Sequence, residues 1–471
     1  MMLKNNFLIF YKTLFIFTIV MGITVIGVAI KNFYMQKFYN KEKELAQLEK
    51  IYKQSGKTAQ MTFVVGRRRI GKTSLLSYFA EDKKYLYFFV ARKNEVLLCQ
   101  EYVEEIKQKL QVEIYGEIKT FKDLFGYLMD LSATIPFILI IDEFQEFINI
   151  NASVYSEMQH IWDSKKDKSR INLILCGSVY TLMSRIFQNS KEPLFGRATA
   201  RMQVKPFTIS TIKEILNDYS SDYKPDDLLA FYTFSGGVAK YIELFTHQKT
   251  LTFSNFLETI FEENSHFLEE GKNVLIDEFG KDYGNYFSIL SLIASSKTER
   301  SEMESIMQMQ LGGFLDRLEN EFGIIQKVRP VFSKPGSRNV KYFIRDNFLN
   351  FWFRFIYKYR SAIEIGNLSY VKSIVKRDYK TYSVKILEKY FREKLAETGR
   401  FSLIGSYWEK GNQNEIDIIA IDEEKQYALF ADVKRDASKI NLADLKEKSF
   451  NIKKNLPNYK IDYRGYSLKD L

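Results

Sequence analysis

At 471 residues the chain exceeds what one ordinary core accommodates, so several domains in series are expected. A hydrophobic share of 46% with only 7 prolines excludes extensive disorder, and a net charge of +11 favours polyanionic partners, whether nucleotide, nucleic acid or an acidic membrane surface. The two cysteines, Cys99 and Cys176, lack metal-ligand spacing and read as buried thiols of a reducing cytosol, so neither a disulfide framework nor a zinc site is implied.

In chain order, residues 1–34 form an apolar extension. Leu14 to Ile30 carries no charge, but a spanning helix wants about 20 apolar residues, a length reached only by extending back past Lys12 to Phe7. Residues 7–30 are either an anchor at the inner face of the membrane, or sequence upstream of a start at Met35; both readings stay open. Tyr39 to Tyr52 has helical spacing and ends at S-G-K. Strands are predicted at Met61–Val65, Tyr85–Val90, Phe137–Ile141 and Ile171–Cys176 with helices between them, the alternation of a parallel α/β sheet over residues 35–210. A helical lid follows over 211–275. Residues 276–350 read as a winged helix: three helices, then strands Ile325–Phe332 and Asn339–Ile344. Asp316, Glu319 and Glu321 suit its third helix to packing or dimerisation better than to DNA phosphates. Lys334, Arg338 and Lys341 on the hairpin are either backbone contacts for DNA or ordinary solvated charge. A final α/β unit occupies 351–471, with a helix from Ser383 to Glu397.

Gly66-Arg67-Arg68-Arg69-Ile70-Gly71-Lys72-Thr73, followed by Ser74, matches G-x-x-x-x-G-K-[ST] directly after one predicted strand and directly before a predicted helix. Glycines let backbone N–H groups curl round phosphates, and the helix N-terminus adds its positive dipole end. Lys72 would bridge phosphate oxygens of ATP, and Thr73 would bind Mg²⁺. The run F-I-L-I-I-D-E delivers Asp142 and Glu143 at the carboxyl end of a buried strand, where open parallel sheets bind ligands. Asp142 is placed to hold Mg²⁺ and Glu143 to orient the attacking water.

The segments F-Y-N-K-E-K-E-L, V-V-G-R-R-R-I-G-K-T-S-L, I-L-I-I-D-E-F-Q, L-I-L-C-G-S and P-L-F-G-R-A-T occur in the order seen in archaeal and bacterial AAA+-like P-loop ATPases that carry an uncharacterised nuclease-like domain at the C-terminus. The chain resembles that family over residues 37–471. The resemblance implies a P-loop NTPase fold in which Ser178 senses the γ-phosphate. Arg197 resembles the family's arginine finger, which would act across a homo-oligomer. The alternatives are a turn hydroxyl for Ser178 and an ion pair for Arg197. S-G-G-V-A-K-Y departs from the family's G-G-x-P-x-Y at Ala239, which bears on nucleotide-driven lid motion.

Farther on, N-E-I-D-I-I-A-I-D and Y-A-L-F-A-D-V-K-R predict a hairpin with Asp417 near the middle of the first strand. Strand alternation puts Asp432 and Lys434 on one face. This looks like the PD-(D/E)xK core of a restriction-endonuclease-like domain, with Glu388 as the additional acid and Mg²⁺ or Mn²⁺ as the fitting metal. Charged residues on a solvent face, paired across strands, would give the same pattern. Lys446, Lys448, Lys453, Lys454, Lys460 and Arg464 are either phosphate contacts or solvated charge. The expectation is an Mg-ATP-dependent cytoplasmic switch or motor with DNA as downstream partner. An ATP-regulated nuclease and a non-hydrolysing ATP-binding scaffold stand as alternatives.

Overall fold

The computed structural model describes residues 38–247, 251–279, 283–334 and 336–471, and Glu42–Leu471 pack as one unit. The apolar run over residues 7–30, with its two readings, lies outside the described residues. Among the described residues no helix is long and apolar enough to cross a membrane.

Strands β1 (Gln60–Val65), β2 (Tyr85–Phe89), β3 (Ile138–Asp142), β4 (Asn172–Cys176) and β5 (Ala200–Gln203) form one sheet in the order β2-β3-β4-β1-β5. Every pairing is parallel. All residues of β3 and β4 are buried, which accounts for their unbroken apolar runs. Val64 stands level with Cys176, and Ile141 with Leu175, so Gly66, Asp142 and Gly177 leave the sheet along one edge. Rings pack the layers, with Phe88 stacked on Tyr102 at 4.1 Å and Phe63 on Phe187 at 4.6 Å. Strand β5 escapes the sequence pattern because only Met202 of its four residues is buried.

Helix α1 (Lys72–Ala80) follows the glycine loop directly. The helical region after β5 includes α2 (Pro225–Ser235) and α3 (His266–Phe279). Next come helices Tyr283–Ala294, Arg300–Met307 and Gly312–Asp316, then the antiparallel pair β6 (Ile325–Val328) and β7 (Lys341–Ile344). Both strands are shorter than predicted, because the chain after β6 leaves its partner to pack elsewhere. Val331 N donates to Ser406 O at 2.9 Å, and the Val331 side chain joins the core of the C-terminal sheet. Lys341 is buried, with its ammonium 4.6 Å from the centre of the Trp408 ring and pushed down by burial. It is therefore not presented as a backbone contact for DNA; Lys334 and Arg338 remain exposed.

The aromatic segment after β7 acts as a wedge. Phe351 meets Phe234 of α2 at 4.8 Å, Phe348 meets Tyr241 at 4.5 Å, and Trp352 Nε1 donates to Leu268 O of α3 at 3.0 Å. The final unit begins with α4 (Leu368–Glu397), a helix of 30 residues that starts well before the predicted Ser383. Its early turns are buried through Val371, Ile374 and Val375. A four-stranded sheet follows, in the order β11-β10-β9-β8, from β8 (Leu403–Tyr407), β9 (Ile416–Asp422), β10 (Tyr427–Val433) and β11 (Lys460–Tyr466). Strands β8, β9 and β10 run antiparallel as a meander, and β11 returns parallel to β10 after the helix Leu442–Lys448.

Candidate functional site

Gly71 sits at φ 92°, a conformation open to glycine and strained for other residues, and so turns the loop into α1. Gly66 is needed for a different reason: a Cβ there would lie 2.8 Å from Val204 O. Lys72 Nζ donates to Gly66 O at 2.8 Å and Arg67 O at 3.1 Å, so the ammonium lies inside the curl of its own loop. Burial lowers its pKa below the ordinary lysine value, against the opposing pull of Cys176, Glu143 and Asp142. A desolvated ammonium at a glycine loop that leads straight into a helix N-terminus fits a phosphate chain, whose oxygens would replace the two carbonyls as its partners.

Asp142 ends β3. Its Oδ2 accepts from Thr73 Oγ1 at 2.9 Å and from the Tyr87 phenol, and its Oδ1 lies 3.0 Å from Cys176 Sγ. Burial pushes this carboxyl up, but the hydrogen bonds from Tyr87, Cys176 and Thr73 outweigh it and hold the group below the usual value. Thr73 and Asp142 thus present hard oxygens side by side, which suits Mg²⁺ completed by phosphate and water. Glu143 adopts φ 54°, turning out of the strand. Its Oε2 accepts from Ser178 Oγ at 2.8 Å, Ser178 N at 3.2 Å and Gln145 Nε2. Ser178 is therefore placed beside Glu143 by the loop after β4.

Each arginine of the loop points away from the phosphate cradle. Arg67 Nη2 donates to Gly323 O at 2.7 Å while Nη1 pairs with Asp346 at 3.4 Å. Arg68 donates to Asn273 O at 3.3 Å, and Arg69 meets the fully buried Glu270 at 2.8 Å. Ile70 is buried and Ser74 exposed. A cavity of about 780 Å³ opens beside Gly66 and Arg67, bounded also by Phe207, Glu278, Asp346 and Lys389. Glu278 accepts from Tyr180 N at 3.0 Å and Thr181 Oγ1 at 2.9 Å, and burial raises its pKa. Ala239 packs against Gly71, and Lys240 N donates to Arg69 O at 3.2 Å, so the lid touches the loop without the proline. Arg197 pairs with Asp163 at 3.1 Å and donates to Phe195 O at 3.0 Å, both within its own domain.

The C-terminal residues meet as a second cluster. Asp417 lies at the start of β9 rather than its middle; its Oδ2 accepts from Val433 N at 2.8 Å and lies 3.5 Å from Lys434 Nζ. Lys434 also contacts Asp432, so the ammonium stands between the two aspartates. Glu388 on α4 is pushed up to about 7, by burial first and by the Asp417 charge second, although Lys385 approaches at 3.0 Å and Arg392 at 3.7 Å. Among the described residues no three His, Cys, Asp or Glu side chains converge as a metal cage. Lys434 would have to withdraw from an aspartate for a divalent cation to enter. The basic residues beyond are occupied locally: Lys448 pairs with Asp444 and Arg464 with Asp462, while Lys446 and Lys453 lie over the Tyr463 ring and Lys454 over Phe450.

Tyr87, Glu270 and Glu278 lie outside every motif of the sequence, and Gln145 stands in I-L-I-I-D-E-F-Q with no role assigned to it there. Cys176 was read only as a buried thiol; its place directly before G-S at a strand end was the available signal.

The parallel sheet, glycine loop and acidic strand end define an ATP-binding P-loop ATPase domain. Residues 38–245 match the family described as an ATPase domain predominantly from Archaea, and residues 352–448 match one described as archaeal and bacterial proteins of unknown function. The chain is 28% identical over 427 residues to the uncharacterized protein MJECL04 of Methanocaldococcus jannaschii, covering 88% of this chain and 92% of that protein. The Walker-type ATPase PABY2304 of Pyrococcus abyssi shares the fold with a TM-score of 0.52 at 18% identity, over 67% of this chain and 96% of that structure. The ORC2 protein of Aeropyrum pernix aligns with a TM-score of 0.44 at 15% identity, over 69% and 96%.

Proposed function

We propose that the chain is an Mg²⁺-dependent ATPase that works as a switch on its own C-terminal half and on a DNA or DNA-associated partner. The observation that carries the ATPase reading is the grouping of Lys72, Thr73, Asp142, Glu143 and Ser178 at one sheet edge. Bound Mg²⁺ would neutralise charge on the β- and γ-phosphates. Lys72 adds a fixed positive charge in a site where water is largely excluded, so its field is strong. Glu143, steered by Ser178 and Gln145, orients the water that attacks the γ-phosphate. Arg197 would complete the site of a neighbouring copy once released from Asp163. The net charge of +11 supports a polyanionic partner.

A second reading, an Mg²⁺- or Mn²⁺-dependent nuclease, is favoured by one observation: a helix, a three-strand meander, a helix and a parallel return strand bring Glu388, Asp417, Asp432 and Lys434 together. Asp417 and Asp432 would hold the metal only with Lys434 withdrawn from between them, and Lys434 would then help activate water. Phosphate release and cleavage of duplex DNA by the full chain test both. Turnover lost in Lys72→Ala and Glu143→Gln, with cleavage lost in Asp432→Ala, establishes two sites. Turnover with no cleavage under either metal leaves the switch alone, and no turnover at all returns the chain to a nucleotide-binding scaffold.

A further inference from the structure

Both sides of the C-terminal cluster are tied, through the residue next in the chain, to segments that in turn touch the glycine loop. Arg435 follows Lys434. Its largely buried guanidinium donates to Asp226 Oδ1 of α2 at 2.7 Å and to Ser383 Oγ of α4 at 2.6 Å. Lys389 follows Glu388. Its ammonium donates to Asn347 Oδ1 at 2.7 Å and to Arg345 O, bracketing Asp346. Asp346 is the residue that pairs with Arg67 of the glycine loop. At its other end the lid reaches the same loop, where Lys240 N meets Arg69 O.

Two paths therefore run from the loop to the cluster. One passes from Arg67 through Asp346 and Asn347 to Lys389 and Glu388. The other passes from the lid through Asp226 to Arg435 and Lys434. Glu388 and Lys389 stand one step of about 1.5 Å apart in α4 and move together, while Lys434 is joined directly to Arg435 just beyond the end of β10. Ion pairs that merely glue domains together would avoid the part that must adapt to a ligand. Here the anchor is Arg67, inside the loop whose backbone wraps phosphate.

We infer that nucleotide at Gly66–Thr73 gates the Glu388–Asp417–Asp432–Lys434 cluster through the Arg67–Asp346 and Arg435–Asp226 pairs. What the cluster then does rests on the nuclease reading above; the coupling itself does not. Lys434 between the two aspartates is the closed arrangement, and a shift at Arg435 is what would draw it aside. By linkage, whatever nucleotide does to the cluster's affinity for a cation, the cation must do to nucleotide affinity by the same factor.

Amide hydrogen exchange on the full chain, with and without Mg²⁺ and a non-hydrolysable ATP analogue, is the test. In the wild type, exchange over residues 383–392 and 430–436 should change about fivefold or more, at the lower end of ordinary allosteric couplings. Asp226→Asn should reduce the change over 430–436 to under about twofold, and Asp346→Asn the change over 383–392, with the analogue still bound. The charge-reversed pair Asp226→Arg with Arg435→Asp should restore it, which separates a lost contact from a damaged fold. Exchange in both segments indifferent to nucleotide, or equally responsive in the single variants, overturns the inference. Mn²⁺ titration followed by electron paramagnetic resonance keeps the readings apart: no Mn²⁺ bound at a site sensitive to Asp417→Ala removes the metal reading, while the exchange data still decide the coupling.

Discussion

The phosphate loop takes its shape from a consecutive run, Gly66 to Thr73, whereas the carboxylate–lysine cluster draws Glu388, Asp417, Asp432 and Lys434 from a helix and two strand ends. The loop works largely through backbone: Lys72 is held by two carbonyls, and the loop arginines point elsewhere. The cluster is held mainly by side-chain charge, two aspartates against one ammonium with a protonatable glutamate beside them, and by one backbone bond from Val433 N to Asp417. Local backbone geometry survives many changes around it. A charge balance does not.

The sharpest break between the two regions should come from Glu143→Gln. Phosphate release should fall about a hundredfold or more while nucleotide binding persists, since a positioned base contributes about that much; binding lost together with turnover would assign Glu143 to the loop's architecture instead. Asp432→Ala, whose carboxylate meets Lys434 and no group of the phosphate site, should leave turnover within about twofold and abolish any metal-dependent DNA cleavage. A matching drop in turnover would mean that the two regions are one site. Tyr87→Phe removes a hydrogen bond to a charged group, worth about 1.5–3 kcal/mol, and should raise the Mg²⁺ concentration for half-maximal turnover about tenfold. An unchanged Mg²⁺ requirement would show that Thr73 and Cys176 suffice to hold Asp142.

A separate effect is one of pH on stability. The Glu388 carboxyl is raised to about 7 from an ordinary value of 4.5. The folded chain therefore binds more protons than the unfolded chain between those values, and this group's contribution to stability declines as pH rises through that window. Thermal melts should show Glu388→Gln gaining on the wild type from pH 4.5 to pH 7 and holding its gain above. A constant difference would place the Glu388 titration outside the window.

This contrast also explains what could be read in advance. The phosphate loop, Asp142 and Glu143 were legible because each lies in a continuous run whose period and punctuation announce a strand, a turn or a helix. The placement of Lys341 was not, because its burial depends on Trp408, far along the chain. The start of α4 was missed although Val371, Ile374, Val375 and Tyr379 keep helical spacing, and Tyr379 meets Phe253 of the lid at 4.5 Å. Tyr87 reaches Asp142 only because β2 and β3 are neighbours, a fact of sheet order that no local window contains. Alternation put Asp432 and Lys434 on one face and the resemblance added Asp417, but their distances, the ammonium between the aspartates and the end of β10 before Lys434 needed the fold.

Helix α4 carries Glu388 and Arg392 toward the sheet cluster, and Lys389, Glu393 and Glu397 toward other partners: Lys389 donates to Asn347 Oδ1 at 2.7 Å, Glu393 accepts from Tyr232 of the lid at 2.6 Å and Glu397 from Ile209 N at 2.6 Å. Its two loyalties are a matter of angular phase, since one residue turns a helix by about 100°. Inserting a single residue between Asp378 and Lys385 would swing both sets of side chains off their partners at once. Inserting seven would return them nearly to phase while lengthening the helix by about 10 Å. The helix is in this sense a key cut on two sides, and its length in whole turns matters more than the identity of most residues along it.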